Sequence, residues 1–169
     1  TAAGATRLVV SLCTFVGDIY IDDFPFKTIG TGYDVISMTP QQKKEVLTAA
    51  MERWIKGMME VTATRVSTWD VVNEAIAGQD YDHDGFYDLQ KGQPGDMTNF
   101  FWQDYMGSID YVRVAVASAR KYYAEFGGTK PLLLFINDYN LESDWDDNKK
   151  LRSLIHWIGK WEADGVTKI

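Results

Sequence analysis

The chain has 169 residues, 46% hydrophobic and 14% aromatic, which is enough apolar side chain to bury a sizeable core. A formal net charge of −7 argues against nucleic acid or an anionic membrane surface as partner, because an acidic surface repels both. The single Cys13 excludes an internal disulfide, and no apolar stretch approaches the roughly 18 residues that a membrane span needs.

Residues 1–10 show neither the basic start nor the cleavage pattern of a signal peptide, and a chain that begins at Thr1 within strand-like sequence is expected to be a fragment or a processed piece. Residues 8–13 and 18–26 are short β-rich runs joined at Val16-Gly17, and they predict a strand pair with Cys13 as a small buried hydrophobe. The second run, Gly17-Asp18-Ile19-Tyr20-Ile21-Asp22-Asp23-Phe24, resembles the closing strand of β-sandwich carbohydrate-binding modules. An ordinary hairpin packed on the following domain satisfies the same spacing. Gly30 and Gly32 make a flexible join. The expected division is residues 1–29, the end of a binding module, and residues 30–169, a second domain.

A helix is predicted to start after Thr39, with Pro40 at its first position and Gln42 completing a capping box. Val46, Ala50, Trp54 and Met58 repeat at helical spacing and are expected to form its core stripe. Residues 62–72, rich in Val and Thr, predict a strand buried in a parallel sheet. This strand ends in the heptapeptide Trp69-Asp70-Val71-Val72-Asn73-Glu74-Ala75, which delivers an Asn-Glu pair into a polar loop. A Glu at a strand end can act as general acid or base, with the neighbouring amide holding a substrate hydroxyl. The alternative, a Glu capping the next helix, is disfavoured because no helical pattern begins before about Asn99.

The loop Asp80-Tyr81-Asp82-His83-Asp84-Gly85-Phe86-Tyr87-Asp88 places acidic residues at alternate positions and Gly at the sixth, like the first half of an EF-hand. Its twelfth position is Lys91, which removes the bidentate carboxylate. A structural calcium on Asp80, Asp82, Asp84 and Asp88 and a solvated acidic turn both remain open, and His83 is given no role.

Residues 100–126 predict one helix with Tyr105, Ile109, Val112, Val116 and Tyr123 inside, stopped by Gly127-Gly128. Residues 132–136 are continuously apolar, as for a central strand, and end in Asn137-Asp138-Tyr139-Asn140. A strand, a long helix and a second strand predict a parallel crossover, with Glu74 and Asn137 emerging on one face. Residues 144–163 predict a last helix with Leu151, Leu154, Ile155, Ile158 and Trp161 buried and acidic residues in its first turn. His156, with no partner at metal-ligand spacing, is expected to flank that interface.

The two ordered motifs, Trp-Asp-Val-Val-Asn-Glu-Ala at residue 69 and Phe-Ile-Asn-Asp-Tyr-Asn at residue 135, resemble the endo-1,4-β-xylanases of glycoside hydrolase family 10. The resemblance runs from about Tyr33 to Ile169 and implies an α/β fold, a partial TIM (β/α)8 barrel segment following the short N-terminal β-strand pair. It implies retaining hydrolysis of xylan, with Glu74 as acid/base and Asn73 on the 2-hydroxyl of the sugar at the cleavage site. Asn137 and Tyr139 would meet substrate, the Tyr ring suiting a sugar face, whereas packing or loop orientation is the plainer role for that cluster. The nucleophile of the family is a Glu on a later strand with no counterpart here, so the isolated chain is expected to be inactive. It is also expected to need the missing barrel segments or a second copy for stability. Catalysis needs no cofactor on this reading, and secretion, the periplasm or the cell surface is the implied location. The rival readings are another retaining glycosidase of the same clan, such as a cellulase or mannanase, and a non-catalytic carbohydrate-binding protein. A calcium-binding module ranks behind them.

Overall fold

A computed structural model of the chain describes residues 37–93 and 99–169. The predicted N-terminal strand pair, the setting of Cys13 and the domain division near Gly30 lie outside the described residues.

The first helix, α1 (Pro40–Thr62), starts as its sequence predicts. The Gln42 amide donates to Thr39 Oγ1 at 3.2 Å and the Thr39 amide donates to Gln42 Oε1 at 2.9 Å, so two otherwise unpaired donors are satisfied reciprocally. Its buried row differs from the predicted one. Met51 and Met59 are buried and Leu47 and Ile55 pack against the core, whereas Val46 is exposed and Trp54 is 72% exposed. Two adjacent rows of this helix carry apolar residues at four-residue spacing, and packing on the third helix selects the second row.

Helix α1 reaches Thr62, the first residue of the expected strand, whose Oγ1 donates to the Met58 carbonyl at 2.6 Å, and residues 63–65 then form a turn with the Arg65 and Val66 amides on the Thr62 carbonyl at 2.8 Å. The strand β1 therefore spans Thr68–Asn73 and not 62–72. It pairs in parallel with β2 (Leu133–Asn137), Thr68 opposite Leu133 and Asn73 opposite Asn137, with a register irregularity between Asp70 and Val72. The parallel pairing agrees with the expected crossover. Only one face of β2 is covered: Leu134 is buried, but Leu133 and Phe135 are 51% and 49% exposed. The continuous apolar run suits a strand covered on both sides, and among the described residues β2 has β1 as its sole strand neighbour.

The predicted helix at 100–126 is two helices, α2 (Gln103–Met106) and α3 (Asp110–Glu125). Gly107 interrupts them at φ 91°, a left-handed conformation that glycine adopts without steric cost. Tyr105 consequently stays partly exposed, while Val112, Val116 and Tyr123 are buried as expected. The C-terminal stop holds: the Gly128 amide donates to the Tyr123 carbonyl at 2.8 Å. A Cβ at Gly128 would lie 2.3 Å from the Tyr123 ring, so this turn accepts only glycine without displacement.

The last helix, α4 (Lys149–Glu162), begins later than predicted because Asp147 and Asn148 both take φ 56°. Its first turn contains no acidic residue; instead the Asp146 carboxylate, just ahead of it, accepts from the amides of Lys149 and Lys150 at 3.2 and 2.9 Å. Leu154 and Trp161 are buried as predicted, but Ile155 is exposed and Lys150 and Ser153 are buried. Trp161 is fully enclosed; its indole N–H donates to the Ser108 carbonyl at 2.8 Å, and Val112, Val116, Met106 and Ile76 belong to the same core.

Candidate active site at the strand ends

Parallel pairing with matched ends brings Asn73, Glu74 and Asn137 together. The Glu74 amide donates to the Asn137 carbonyl at 2.6 Å, and Asn137 Nδ2 donates to Asn73 Oδ1 at 2.6 Å. With its oxygen so engaged, Asn73 keeps its own side-chain N–H groups for another acceptor.

Glu74 has φ 51°, a left-handed backbone that costs a non-glycine residue about 1–2 kcal/mol. Its neighbours hold it there. Gln90 Nε2 donates to the Glu74 carbonyl, the Gln90 amide donates to the Ala75 carbonyl at 2.8 Å, and Ile76, opposite Leu89 in an antiparallel bridge, is buried. Gln103 Nε2 in turn donates to the Gln90 carbonyl. Strain of this kind persists where the surroundings over-determine it, and such positions cluster at functional sites. The Glu74 side chain is exposed and makes no ion pair among the described residues. No helix for it to cap begins before Gln103 among them.

A cleft of about 500 Å³ opens beside it, lined by Trp54, Asn73, Glu74, Gln90, Phe100 and Trp102 among others. Phe100 stacks on Tyr105 with ring centroids 5.3 Å apart and meets Trp102 edge-on at 5.0 Å. The sequence reading missed Trp54, Gln90, Phe100 and Trp102. The consecutive aromatics Phe100-Phe101-Trp102 were the available signal; Gln90 had none, since its role comes from pairing across a loop.

Asn137 and Tyr139 do not line this cleft. Tyr139 is half exposed, with the Lys150 ammonium 3.3 Å from its ring centroid. Between them Asp138 is buried: Oδ2 accepts from the Ile76 amide at 3.0 Å, and Oδ1 accepts from the Tyr139 amide at 2.9 Å and pairs with Lys150 Nζ at 2.7 Å.

In the acidic loop, carboxylate oxygens of Asp80, Asp82 and Asp88 lie within 4.8 Å of one another, and Asp84 is not among them. Asp84 instead accepts from the Phe86 amide at 2.9 Å, turning its carboxylate into the loop backbone. Asp80 Oδ2 accepts from Lys149 Nζ at 2.9 Å and from the Gly85 amide at 3.1 Å, and the lysine contact above all holds its pKa below the ordinary carboxylate value. Asp80 Oδ1 is buried without a partner, a lone acceptor that a cation could satisfy. Lys91 turns its ammonium to the Tyr81 ring, 4.0 Å from the centroid. His156 stacks on Phe86 with ring centroids 4.0 Å apart, in keeping with a packing role.

Among the described residues, no helix is long and apolar enough to cross a membrane. The glycosyl hydrolase family 10 model matches residues 34–168. Endo-1,4-beta-xylanase A of Halalkalibacterium halodurans is 35% identical over 102 residues, covering 60% of this chain and 20% of the relative. A thermostable celloxylanase of Thermoclostridium stercorarium is 30% identical over 66% of this chain and 25% of its own length. Endo-1,4-beta-xylanase 2 of Claviceps purpurea is 29% identical over 68% of this chain and 33% of its own. The chain thus spans a fifth to a third of the length of these curated relatives. That family implies a TIM barrel, and the parallel β1–α3–β2 unit is consistent with a segment of one. The chain belongs to glycosyl hydrolase family 10.

Proposed function

We propose that this chain is the central part of an endo-1,4-β-xylanase barrel and carries its general acid/base, Glu74. The observation that supports this most is the exposed Glu74 carboxylate, which leaves the end of a parallel strand on a constrained left-handed backbone, between Asn73 and an aromatic-lined cleft. In a retaining hydrolase two carboxyl groups about 5–5.5 Å apart flank the scissile bond. Glu74 protonates the departing sugar oxygen, and then takes a proton from the water that resolves the glycosyl intermediate. Asn73 donates to the 2-hydroxyl through the amide N–H groups that Asn137 leaves free. The nucleophile belongs to another part of the barrel, so the isolated chain releases no reducing sugar from xylan.

The test is Glu74→Gln in the full polypeptide, assayed on xylan and on an aryl xyloside whose leaving group needs little protonation. Loss of roughly 10²–10⁴-fold on xylan with residual aryl xyloside turnover is expected. Undiminished xylan cleavage would overturn the assignment.

A wider β-1,4 specificity, including cello-oligosaccharides, is a second reading, favoured by the similarity to a protein named as a celloxylanase. Relative rates of the full polypeptide on xylan and cello-oligosaccharides decide it. Secretion or surface display, a preceding carbohydrate-binding module and a calcium ion held by Asp80, Asp82 and Asp88 accompany this reading as further proposals. Such an ion competes with the Lys149 ammonium for Asp80.

A further inference from the structure

We propose that Asp138 and Lys150 are positioning residues for Glu74: their buried ion pair anchors the Ile76 backbone, and through it the left-handed turn from which the Glu74 carboxylate projects. This rests on the assignment of Glu74 as acid/base.

The pair is enclosed, with 0% and 6% of the Asp138 and Lys150 side chains exposed, and its charges are 2.7 Å apart. Charges are withdrawn from water at high cost unless their geometry and remaining hydrogen bonds are satisfied, and here they are. The Asp138 carboxylate serves the Ile76 amide, the Tyr139 amide and the Lys150 ammonium at once. Three segments distant in sequence meet on that one group: the loop two residues past Glu74, the end of β2 and the first turn of α4. Gln90 holds the near side of the Glu74 turn through the carbonyls of Glu74 and Ala75, and Asp138 holds the far side. Neither Asp138 nor Lys150 lines the cleft, so neither is placed to touch a reacting atom. A carboxylate can satisfy all three donors, whereas an amide has a single acceptor oxygen: with that oxygen kept on the ammonium and the Tyr139 amide, its own N–H groups face the Ile76 amide. Asp138→Asn, nearly the same in shape, should therefore release the Ile76 amide or misplace it.

The experiment uses the full polypeptide with Asp138→Asn, Lys150→Met and the double variant, and measures thermal midpoint, kcat and KM on xylan, and turnover of the activated aryl xyloside. Misplacing an acid/base by about 1 Å can cost on the order of 100-fold, so kcat on xylan should fall about 10–100-fold with KM within about twofold. kcat/KM for the aryl xyloside, which reports formation of the glycosyl intermediate and needs little acid assistance, should fall less than about threefold. The double variant should regain the thermal midpoint lost by Lys150→Met, since no buried charge is left unpaired, without regaining kcat on xylan. Equal losses of kcat/KM on both substrates, or recovery of kcat together with stability, would show a purely structural pair and overturn the proposal. Should Lys150→Met fail to fold, the substrate split in Asp138→Asn decides alone; failure of every variant to fold counts against it. Glu74→Gln is run in parallel. If it still cleaves xylan, the assignment of Glu74 falls; if it does not, while Asp138→Asn shows no split, the positioning role alone falls.

Discussion

The side-chain amide of Asn137 donates to the side-chain oxygen of Asn73 at 2.6 Å, closing the ends of two parallel strands over a sequence separation of 64 residues. This bond fixes which way the Asn73 amide faces: its oxygen looks inward to β2 and its N–H groups are left for another acceptor, which we propose is a sugar hydroxyl.

Asn73→Ala in the full polypeptide should therefore reduce kcat/KM on xylan more than Asn137→Ala does. The first removes a proposed substrate contact worth about 1 kcal/mol, or roughly fivefold, while the second frees only its orientation. Equal effects, or a larger effect at Asn137, would indicate direct substrate contact by Asn137.

The left-handed backbone at Glu74 predicts an ordering of stabilities that is independent of any activity. Glu74→Gly should be more stable than Glu74→Ala by about 1 kcal/mol, since glycine meets no Cβ clash at positive φ. At most positions Gly costs stability relative to Ala, so denaturant midpoints showing the usual order would sink this reading of the turn.

Acid stability should depend on Asp164. Hydrogen bonds from the Thr167 hydroxyl and amide, then the Val166 amide and the Arg113 guanidinium, hold its pKa at about 2. The folded carboxyl binds its proton more weakly than the unfolded one, whose pKa is near 3.9. Its contribution is thus complete above about pH 4 and is lost as pH falls toward 2. Asp164→Asn should flatten the pH dependence of the urea midpoint in that window, and an unchanged slope would place the acid sensitivity elsewhere.

If calcium occupies Asp80, Asp82 and Asp88, a calcium concentration about a hundredfold above Kd should raise stability by about 2.7 kcal/mol. Asp80→Asn should abolish that gain. Asp84→Asn should retain it, because Asp84 lies outside the converging carboxylates. A thermal midpoint indifferent to calcium and to chelator would leave the loop as an acidic turn closed by Lys149.

Features that obey rules local to the chain were legible without coordinates. The Thr39 capping box, the Gly127-Gly128 stop, the order of strand, helix and strand, and the Asn-Glu strand end depend on dihedral preferences and on neighbours three or four residues away. Sequence alone also set the motifs that match residues 34–168 to the family. What it left undecided needed partners far along the chain. Two apolar rows on α1 fit the same period, and only packing on α3 exposes Trp54 and buries Met51. The Val- and Thr-rich start expected of β1 holds the end of α1 at Thr62 and the turn that follows it, where the Arg65 and Val66 amides both donate to the Thr62 carbonyl. The acidic series offers four candidate ligands or a solvated turn; the structure brings together the carboxylates of Asp80, Asp82 and Asp88, while the Phe86 amide donates to Asp84. Asp138 reads as a loop residue, but Ile76 becomes its neighbour only when β1 and β2 pair and Lys150 only through the placement of α4, and these two partners together satisfy the buried charge.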